Sequence, residues 1–208
     1  MVGLPMDLLI ATANPGKILE FRQMLGEARF AWSDLASLPN LPHVEETGRT
    51  FRANACLKAS AYAMHFKRWA LADDSGLEVD ALNGSPGVYS ARWAEMNHAG
   101  KGDADNNALL LKQLAAVPDD RRSARFVCVL ALSDPQGRII LTARDTVEGR
   151  LLGAPRGRNG FGYDPLFLIP EIGRTTAELP PKQKHRLSHR GKALRAMSDL
   201  ISSLSLAE

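Results

Sequence analysis

Two consecutive carboxylates, Asp73 and Asp74, are the residues of this chain best placed to do chemistry. They follow an apolar run, and Ser75-Gly76 after them predicts the end of one strand before a second strand over 77–82. Successive side chains on a strand point to opposite faces, so both carboxylates cannot enter the same core. Burying an unpaired ionised carboxylate is costly, so at least one should face a cation, a metal or a cleft. Oxygen ligands at a strand end suit Mg²⁺, whereas a solvated acidic turn that caps a hairpin also explains this stretch taken alone.

A lysine in the first turn of a predicted helix is the second chemical feature. Residues 7–12 predict a buried strand, after which Asn14 suits the N-cap and Pro15 the first position of a helix. Lys17 then lies where free backbone N–H groups and the positive end of the helix dipole favour an anion. The spacing is not that of the Gly-x-x-x-x-Gly-Lys phosphate loop. A plain strand–helix unit with an exposed lysine therefore remains the alternative.

A polar stripe on an alanine-rich helix is the third feature. Thr50 is a suitable N-cap for a helix predicted over 51–66. Asn54 and Lys58 are four residues apart and so share one face of that helix. A solvated face is the usual cause of such a stripe, and the pair Glu45-Glu46 just before the helix also fits a solvated turn.

A ring on a glycine-rich loop and a basic helix start complete the candidates. The basic loop 149–162 carries Phe161 between two glycines, and an exposed aromatic of this kind can stack on a nucleobase. The alternative is a ring that packs on its own domain. A final helix is predicted to begin at Ser188, which places His189 and Arg190 at a helix N-terminus. A lone histidine is more often structural than catalytic.

The charge of the chain is unevenly distributed. Its 208 residues predict one domain, or one domain with lobes, and the formal charge is only +3. Residues 1–100 carry nine basic against eleven acidic side chains, whereas residues 150–195 carry ten basic against three acidic. An acidic half with a basic stretch fits a metal–polyanion site and equally fits a nucleic-acid surface.

The cysteines and the apolar runs argue for a cytoplasmic protein. Cys56 and Cys128 are far apart and form neither a zinc spacing nor a disulfide framework. No apolar run approaches the length that spans a membrane, and the N-terminus lacks the features of a signal peptide.

Alternating strand and helix patterns predict the α/β class. Segments 125–133 and 138–147 are predicted as a hairpin joined by the turn 134–137, which makes the sheet mixed. Residues 30–44, interrupted by prolines, are predicted as loop.

Together these features match the needs of a nucleoside triphosphate, and the sequence resembles the inosine triphosphate pyrophosphatase family. That family hydrolyses dITP, ITP and XTP to the monophosphate and pyrophosphate. The matching segments occur in the family's order and span nearly the whole chain. They are Thr12-Ala13-Asn14-Pro15-Gly16-Lys17, Glu45-Glu46-Thr47-Gly48 with Phe51 and 54–59, Ala72-Asp73-Asp74-Ser75-Gly76-Leu77, 84–92, Gly160-Phe161-Gly162-Tyr163-Asp164-Pro165, and 188–194.

The resemblance implies a fold, a cofactor and an assembly. It implies a long mixed central sheet with flanking helices that form two lobes around a nucleotide cleft, in one domain over 1–208. It also implies Mg²⁺ as cofactor, a homodimer, and a small-molecule partner with no need of nucleic acid or membrane.

The resemblance also assigns site residues. Glu46 and Asp74 would hold Mg²⁺ with Asp73 in support, and Asp74 would act as general base on the attacking water. The triphosphate and sugar–base contacts would come from a larger group of side chains and backbone positions. These substrate-binding positions are Thr12, Ala13, Asn14, Pro15, Gly16, Lys17, Lys58, Ser75, Arg92, Phe161, Gly162, Tyr163, Asp164, Lys184, His189 and Arg190.

Two other function classes stay open at this stage. A nucleic-acid-binding protein would use the basic stretch 150–195 with Phe161, bind oligonucleotides with a steep salt dependence, and need no Mg²⁺. A metal-dependent nuclease or other phosphohydrolase would release nucleotides or orthophosphate instead of pyrophosphate.

Overall fold

The computed structural model describes residues 7–24, 31–39 and 41–204 and confirms the predicted α/β class with a long mixed sheet. The strands are β1 (Asp7–Ile10), β2 (Ala31–Asp34), β3 (Trp69–Val79), β4 (Ser123–Ser133), β5 (Ile139–Leu151), β6 (Phe167–Ile169) and β7 (Arg174–Thr175). The α-helices are α1 (Pro15–Met24), α2 (Phe51–Phe66), α3 (Trp93–Met96), α4 (Asp103–Gln113), α5 (Pro181–Leu187) and α6 (His189–Leu204). Within these described ranges, no helix has the length and apolarity needed to cross a bilayer.

The sheet has the strand order β2-β1-β3-β4-β5-β6-β7. Strand β1 runs parallel to β2 and to β3, whereas β6 runs antiparallel to β5 and to β7. Parallel and antiparallel pairs in one sheet are the mixed arrangement that the hairpin predicted.

The chain divides into two compact units. The described residues of the first unit lie within Met1–Asp74, Val129–Arg144 and Ala193–Glu208, and those of the second lie within Ser75–Cys128 and Asp145–Lys192. Strands β3, β4 and β5 each contribute residues to both units. A single domain with two lobes around a nucleotide cleft stays a prediction.

In the first unit, the start of α1 forms as the sequence predicts. The N–H of Lys17 donates to Asn14 Oδ1 at 3.1 Å, and Pro15 takes the first helical position, where its missing N–H costs nothing. Preceding this helix, Leu8, Leu9 and Ile10 of β1 are fully buried. This strand–cap–helix sequence fixes Lys17 in the first turn of α1.

Helix α2 begins and ends at the predicted residues. The N–H of Ala53 donates to Thr50 Oγ1 at 3.1 Å, and the helix ends before Lys67, which has a left-handed φ of 53°. The alanines on the inner side (Ala55, Ala59 and Ala63) are fully buried, and their small side chains let the helix backbone lie close to the rest of the core.

Strand β3 differs from the prediction because it runs without interruption through Ser75 and Gly76. The local preference of a Ser-Gly pair for a turn is weak, and tertiary context overrides it. Here the N–H of Leu77 donates to Ser90 Oγ at 2.9 Å, and the Ser75 hydroxyl accepts from Arg190 at 2.7 Å. The first bond satisfies a backbone N–H of the extended strand, and the second satisfies the Ser75 side chain, so the strand continues where the sequence alone predicts a turn.

The predicted loop over 30–44 is also wrong in part, because Ala31–Asp34 forms strand β2. This strand pairs in parallel with β1, with Leu8 opposite Trp32 and Ile10 opposite Asp34. A four-residue edge strand carries too few residues for a periodic pattern, so pairing with β1 determines it. Residues 30 and 40 lie outside the described part of the chain.

The hairpin between β4 and β5 is confirmed. The N–H of Gly137 donates to the Asp134 carbonyl at 2.9 Å, and Gly137 has a φ of +85°, which glycine adopts without steric cost. The Asp134 carboxylate accepts from the N–H groups of Gln136 and Arg138, as expected of an aspartate at a turn.

Candidate active site

The two predicted carboxylates are buried and each has its own lysine. Asp73 is 1% exposed, and its Oδ1 pairs with the Lys17 ammonium. Asp74 is 5% exposed, and its Oδ1 lies 3.0 Å from Lys58 Nζ. Consecutive residues of β3 point to opposite faces, so the two carboxylates meet cations on different helices, α1 and α2. The alternatives of a solvated acidic turn and an exposed Lys17 are therefore wrong.

The polar stripe of α2 contacts carboxylates rather than solvent. Lys58 Nζ also lies 2.7 Å from Glu46 Oε1, so one ammonium bridges Glu46 and Asp74. Asn54 is fully buried, donates from Nδ2 to Asp74 Oδ2 at 3.2 Å, and accepts the N–H of Gly48 at 2.8 Å. We call Lys17, Glu46, Lys58, Asp73 and Asp74 the lysine–carboxylate cluster.

Burial and neighbouring charges shift the pKa values of Asp74 and Lys58. Burial raises the pKa of Asp74, and the attraction of Lys58 and Lys17 opposes part of that rise. Burial by itself lowers the pKa of Lys58, but the attraction of Asp74 and Glu46 outweighs it, so the pKa is raised. Lys58 is therefore held as a cation between two carboxylates.

A second group of predicted residues gathers around the loop that carries Phe161. Asp164 Oδ2 accepts from Lys184 Nζ at 2.6 Å and from the Phe161 N–H at 2.9 Å. Its other oxygen accepts the Thr176 hydroxyl at 2.7 Å. Lys184 and Asp164 are both buried, and a buried ion pair with additional hydrogen bonds fixes the geometry of the loop.

Two cations flank the half-buried ring of Phe161. Lys184 Nζ lies 5.2 Å and Arg190 Cζ 5.7 Å from the ring centroid, within the range of cation–π attraction. Arg190 is 2% exposed and donates to the Ser75 hydroxyl at 2.7 Å. We call Ser75, Phe161, Asp164, Lys184 and Arg190 the aromatic cluster.

Gly160 allows the Asp164–Lys184 pair to form beneath the loop. It has a φ of +79°, and a Cβ there would lie 2.0 Å from Asp164 Oδ2 and 2.8 Å from Lys184 Nζ. Gly160→Ala should therefore lower the free energy of unfolding by about 2 to 3 kcal/mol, from backbone strain and a displaced ion pair. Gly173→Ala is the control, because Gly173 has a φ of +63° but no atom near its Cβ, and should cost only about 1 kcal/mol. Equal losses in urea denaturation would show that the close approach to Asp164 does not matter.

A sequence model of the Ham1 family matches residues 8–200, which is almost the whole chain. The chain belongs to the Ham1 family. The predicted family resemblance is thereby confirmed.

Similar proteins align with nearly the whole of the Ham1 chain. A relative from Exiguobacterium sibiricum, named dITP/XTP pyrophosphatase, is 50% identical over 95% of this chain and 98% of its own. A relative of the same name from Desulforamulus reducens is 48% identical over 96% of this chain and 97% of its own. The solved structure of a HAM1 protein from Coxiella burnetii has a TM-score of 0.83 at 39% identity, and it covers 95% of this chain and 99% of that one.

Other predicted site residues of the Ham1 chain occupy varied environments. Thr12 is buried and its Oγ1 accepts the N–H of Asn14 at 3.3 Å, whereas Ala13 and Pro15 are exposed and Gly16 is half-buried. Arg92 Cζ lies 5.4 Å from the ring of Tyr89.

Tyr163 and His189 pack into the interior. Tyr163 is 4% exposed and donates its hydroxyl to the Ser90 carbonyl at 2.8 Å, and burial raises the pKa of its phenol above the usual range. His189 stacks on Phe126 with ring centroids 4.9 Å apart and an angle of 16°. These two side chains position the loop and the start of α6, and their predicted contact with substrate stays a prediction.

Sequence reasoning gave no role to several residues that hold these clusters. Asn54 lies in the polar stripe and in the matching segment 54–59 but is assigned no role, although its four-residue spacing from Lys58 on α2 is an available signal. Thr176 and Phe126 carried no signal, because each reaches its partner only through the tertiary fold.

The carboxylates of the lysine–carboxylate cluster fit the ligand chemistry of Mg²⁺. Glu46 and Asp74 already converge on a single cationic atom, Lys58 Nζ, and both offer the oxygen ligands that Mg²⁺ prefers. Among the described residues, no three acidic, histidine or cysteine side chains form a metal cluster. Mg²⁺ commonly binds through one or two carboxylates with water and phosphate oxygens, so two carboxylates fit the ion.

Proposed function

We propose that this Ham1 protein hydrolyses non-standard purine nucleoside triphosphates (dITP, ITP and XTP or dXTP) to the monophosphate and pyrophosphate. The observation that carries the proposal is the lysine–carboxylate cluster, in which two partly buried lysines and three carboxylates combine cations for a polyphosphate with a base for water. Relatives named dITP/XTP pyrophosphatase align with this chain over nearly their whole length and support the same reaction. Removal of such triphosphates would cleanse the nucleotide pool.

Each side chain of the cluster has a proposed task. Lys17 and the N–H groups at the start of α1 bind the triphosphate, since a helix N-terminus with a lysine favours phosphate. Glu46 and Asp74 would hold Mg²⁺, with Asp73 in support. The ion would neutralise charge on the phosphate oxygens and orient the α-phosphate.

Asp74 is the proposed general base. Asn54 donates to Asp74 Oδ2, which orients the carboxylate. Asp74 Oδ1 then points at the Lys58 ammonium. Asp74 takes one proton from the attacking water while the water oxygen bonds to the α-phosphorus. The bond between the α-phosphorus and the bridging oxygen breaks, and pyrophosphate leaves with that oxygen. Lys17 and Lys58 offset the negative charge that remains on the phosphates.

The aromatic cluster is proposed to select the base. Phe161 stacks on the purine, and Lys184 and Arg190 offer only hydrogen-bond donors. The exocyclic carbonyl oxygens of hypoxanthine and xanthine can accept from such donors, whereas the 6-amino group of adenine or the 2-amino group of guanine would place a donor against a donor. A buried polar mismatch of this kind is a strong means of rejection.

A nucleotide panel tests the proposal. With Mg²⁺ present, ITP and XTP should release pyrophosphate, ATP and GTP should be poor substrates, and a chelator should abolish turnover. Equal turnover of all four standard triphosphates would contradict the base selection. Orthophosphate as the product would favour another phosphohydrolase, and tight salt-sensitive oligonucleotide binding without Mg²⁺ would favour a nucleic-acid-binding protein.

We also propose a homodimer and a cytoplasmic location, as the family resemblance and the cysteine usage suggest. Light scattering of the purified protein would measure the first, and fractionation of cells that express it would measure the second.

A further inference from the structure

A second helix holds the loop that carries Phe161. Asp103 and Asn107 lie four residues apart in the first turns of α4, so both side chains are on one face. The N–H of Gly162 donates to Asp103 Oδ2 at 2.7 Å, and Asn107 Nδ2 donates to the Gly162 carbonyl at 2.9 Å. Both polar backbone groups of Gly162 therefore bond to side chains of α4.

The Asp103 bond acts on the peptide group that follows Phe161, and the Asn107 bond acts on the next peptide group, between Gly162 and Tyr163. The Gly162 N–H belongs to the peptide that follows Phe161, and the Phe161 N–H belongs to the peptide that precedes it. Asp103 accepts the first and Asp164 accepts the second, so a carboxylate holds each side of the residue. Gly162 has a φ of +62°, in a region where glycine has wide conformational freedom, and the two α4 bonds remove that freedom.

Helix α4 is itself firmly placed. Asn106, next to Asn107, accepts the N–H of Ala94 at 2.7 Å and donates to the Ala91 carbonyl at 3.2 Å. Leu110 on the same helix is fully buried in the core that also contains Tyr163. A side chain on a rigid element holds a loop more accurately than another loop would.

We propose that Asp103 and Asn107 are positioning residues for purine binding. They do not touch the base. They hold the backbone of Gly162 in place, which keeps the Phe161 ring oriented to stack on the base. The proposal rests on the proposed function, in which Phe161 stacks on the base of the nucleotide. It adds an α4 clamp, defined as Asp103, Asn107 and Gly162, as the device that orders the ring before substrate arrives.

Alanine substitution of the clamp should weaken purine binding without stopping the chemistry. In Asp103→Ala and Asn107→Ala, the KM for ITP should rise about tenfold, the size of effect expected for one lost hydrogen bond to a charged or buried group, and kcat should stay within about twofold. Asp103→Asn keeps an oxygen acceptor and should restore most of the loss. A wild-type KM in both alanine variants would overturn the proposal.

Asp105→Ala is the matched control. Asp105 lies on the same turn of α4, and its carboxylate also accepts a backbone N–H, that of Lys101 at 2.7 Å, but not one from the Phe161 loop. It should keep the wild-type KM. An equal rise in Asp105→Ala would assign the effect to the charge or stability of α4 and overturn the clamp.

A double-mutant cycle with Phe161→Ala tests whether the clamp acts through the ring. In the Phe161→Ala background, Asp103→Ala should change the affinity for IMP, measured by calorimetry, by less than about twofold. A tenfold change in both backgrounds would show that Asp103 acts elsewhere.

Amide hydrogen exchange separates this proposal from the proposed function, because it needs no nucleotide. The Gly162 N–H should exchange at least about tenfold faster in Asp103→Ala than in the wild type, with the thermal midpoint nearly unchanged. Unchanged exchange at Gly162 would contradict the clamp alone. Failure of the wild type to release pyrophosphate from ITP or XTP would contradict the proposed function, and with it the purine-positioning role, whatever the exchange shows.

Discussion

Asp74→Asn should lower turnover of ITP by roughly a thousandfold or more while leaving the protein folded. A general base contributes about 10² to 10⁴ in rate, and an amide can neither take the proton nor ligate Mg²⁺ as strongly. The fold should persist because Asn54 can still donate to the side-chain oxygen, and a neutral group is easier to bury on β3. The lost bond to Lys58 should cost about 1 to 2 kcal/mol of unfolding free energy.

Asp80→Asn provides the matched control for this change. Asp80 is six residues further along the chain, and its carboxylate pairs with Arg125 and accepts the Ser123 hydroxyl at a largely exposed position. It should keep the wild-type rate of pyrophosphate release. Circular dichroism and urea denaturation would verify that Asp74→Asn is folded, and a folded, active Asp74→Asn protein would remove Asp74 from the mechanism.

Local physics made the helix starts predictable from the sequence. Asn14 with Pro15, and Thr50 before an alanine-rich run, satisfy free N–H groups within three residues, so tertiary structure is not needed to recognise them. The hairpin turn at Asp134 was equally local, since its carboxylate bonds to N–H groups two and four residues on.

The pairing of charges could not be predicted in the same way. Lys58 is separated from Asp74 by 16 residues and from Glu46 by 12, so only the fold reveals that one ammonium bridges both. The stripe on α2 therefore looked like a solvated face. The same limit explains the uninterrupted β3, where Ser75 and Arg190 are 115 residues apart.

The family motifs supplied what local patterns did not. Six ordered segments identified the family, although each segment taken alone is a modest signal that a common strand–helix unit or an acidic turn also explains. They assign site roles to the residues of the lysine–carboxylate and aromatic clusters, and those roles stay predictions. They did not indicate Asp103 or Asn107, which lie outside every matching segment and reach the Phe161 loop only through the packing of α4.

Lys58→Met should destabilise the Mg²⁺-free protein and make its stability strongly dependent on Mg²⁺. The substitution keeps much of the side-chain volume but leaves Glu46 and Asp74 together without the ammonium that bridges them. Removing one partner of a largely buried ion pair costs about 3 kcal/mol, and the exposed share of Glu46 reduces that figure toward 2. Turnover should also fall sharply, since one cation for the phosphates is lost.

Added Mg²⁺ should then restore stability to Lys58→Met more than it stabilises the wild type. An ion that binds only the folded state stabilises it by RT ln(1 + [L]/Kd), about 2.7 kcal/mol at a hundred times Kd. In the wild type, the Lys58 ammonium lies between the two carboxylates and would repel the ion, whereas in Lys58→Met the two carboxylates face each other with no cation between them. Thermal midpoints measured across a Mg²⁺ titration test this difference without any assay of activity.

Lys101→Met, which breaks an exposed pair with Glu95, should lose little stability and gain no added response to Mg²⁺. A Lys58→Met protein that responds to Mg²⁺ no more than the wild type would show that Glu46 and Asp74 do not hold the ion.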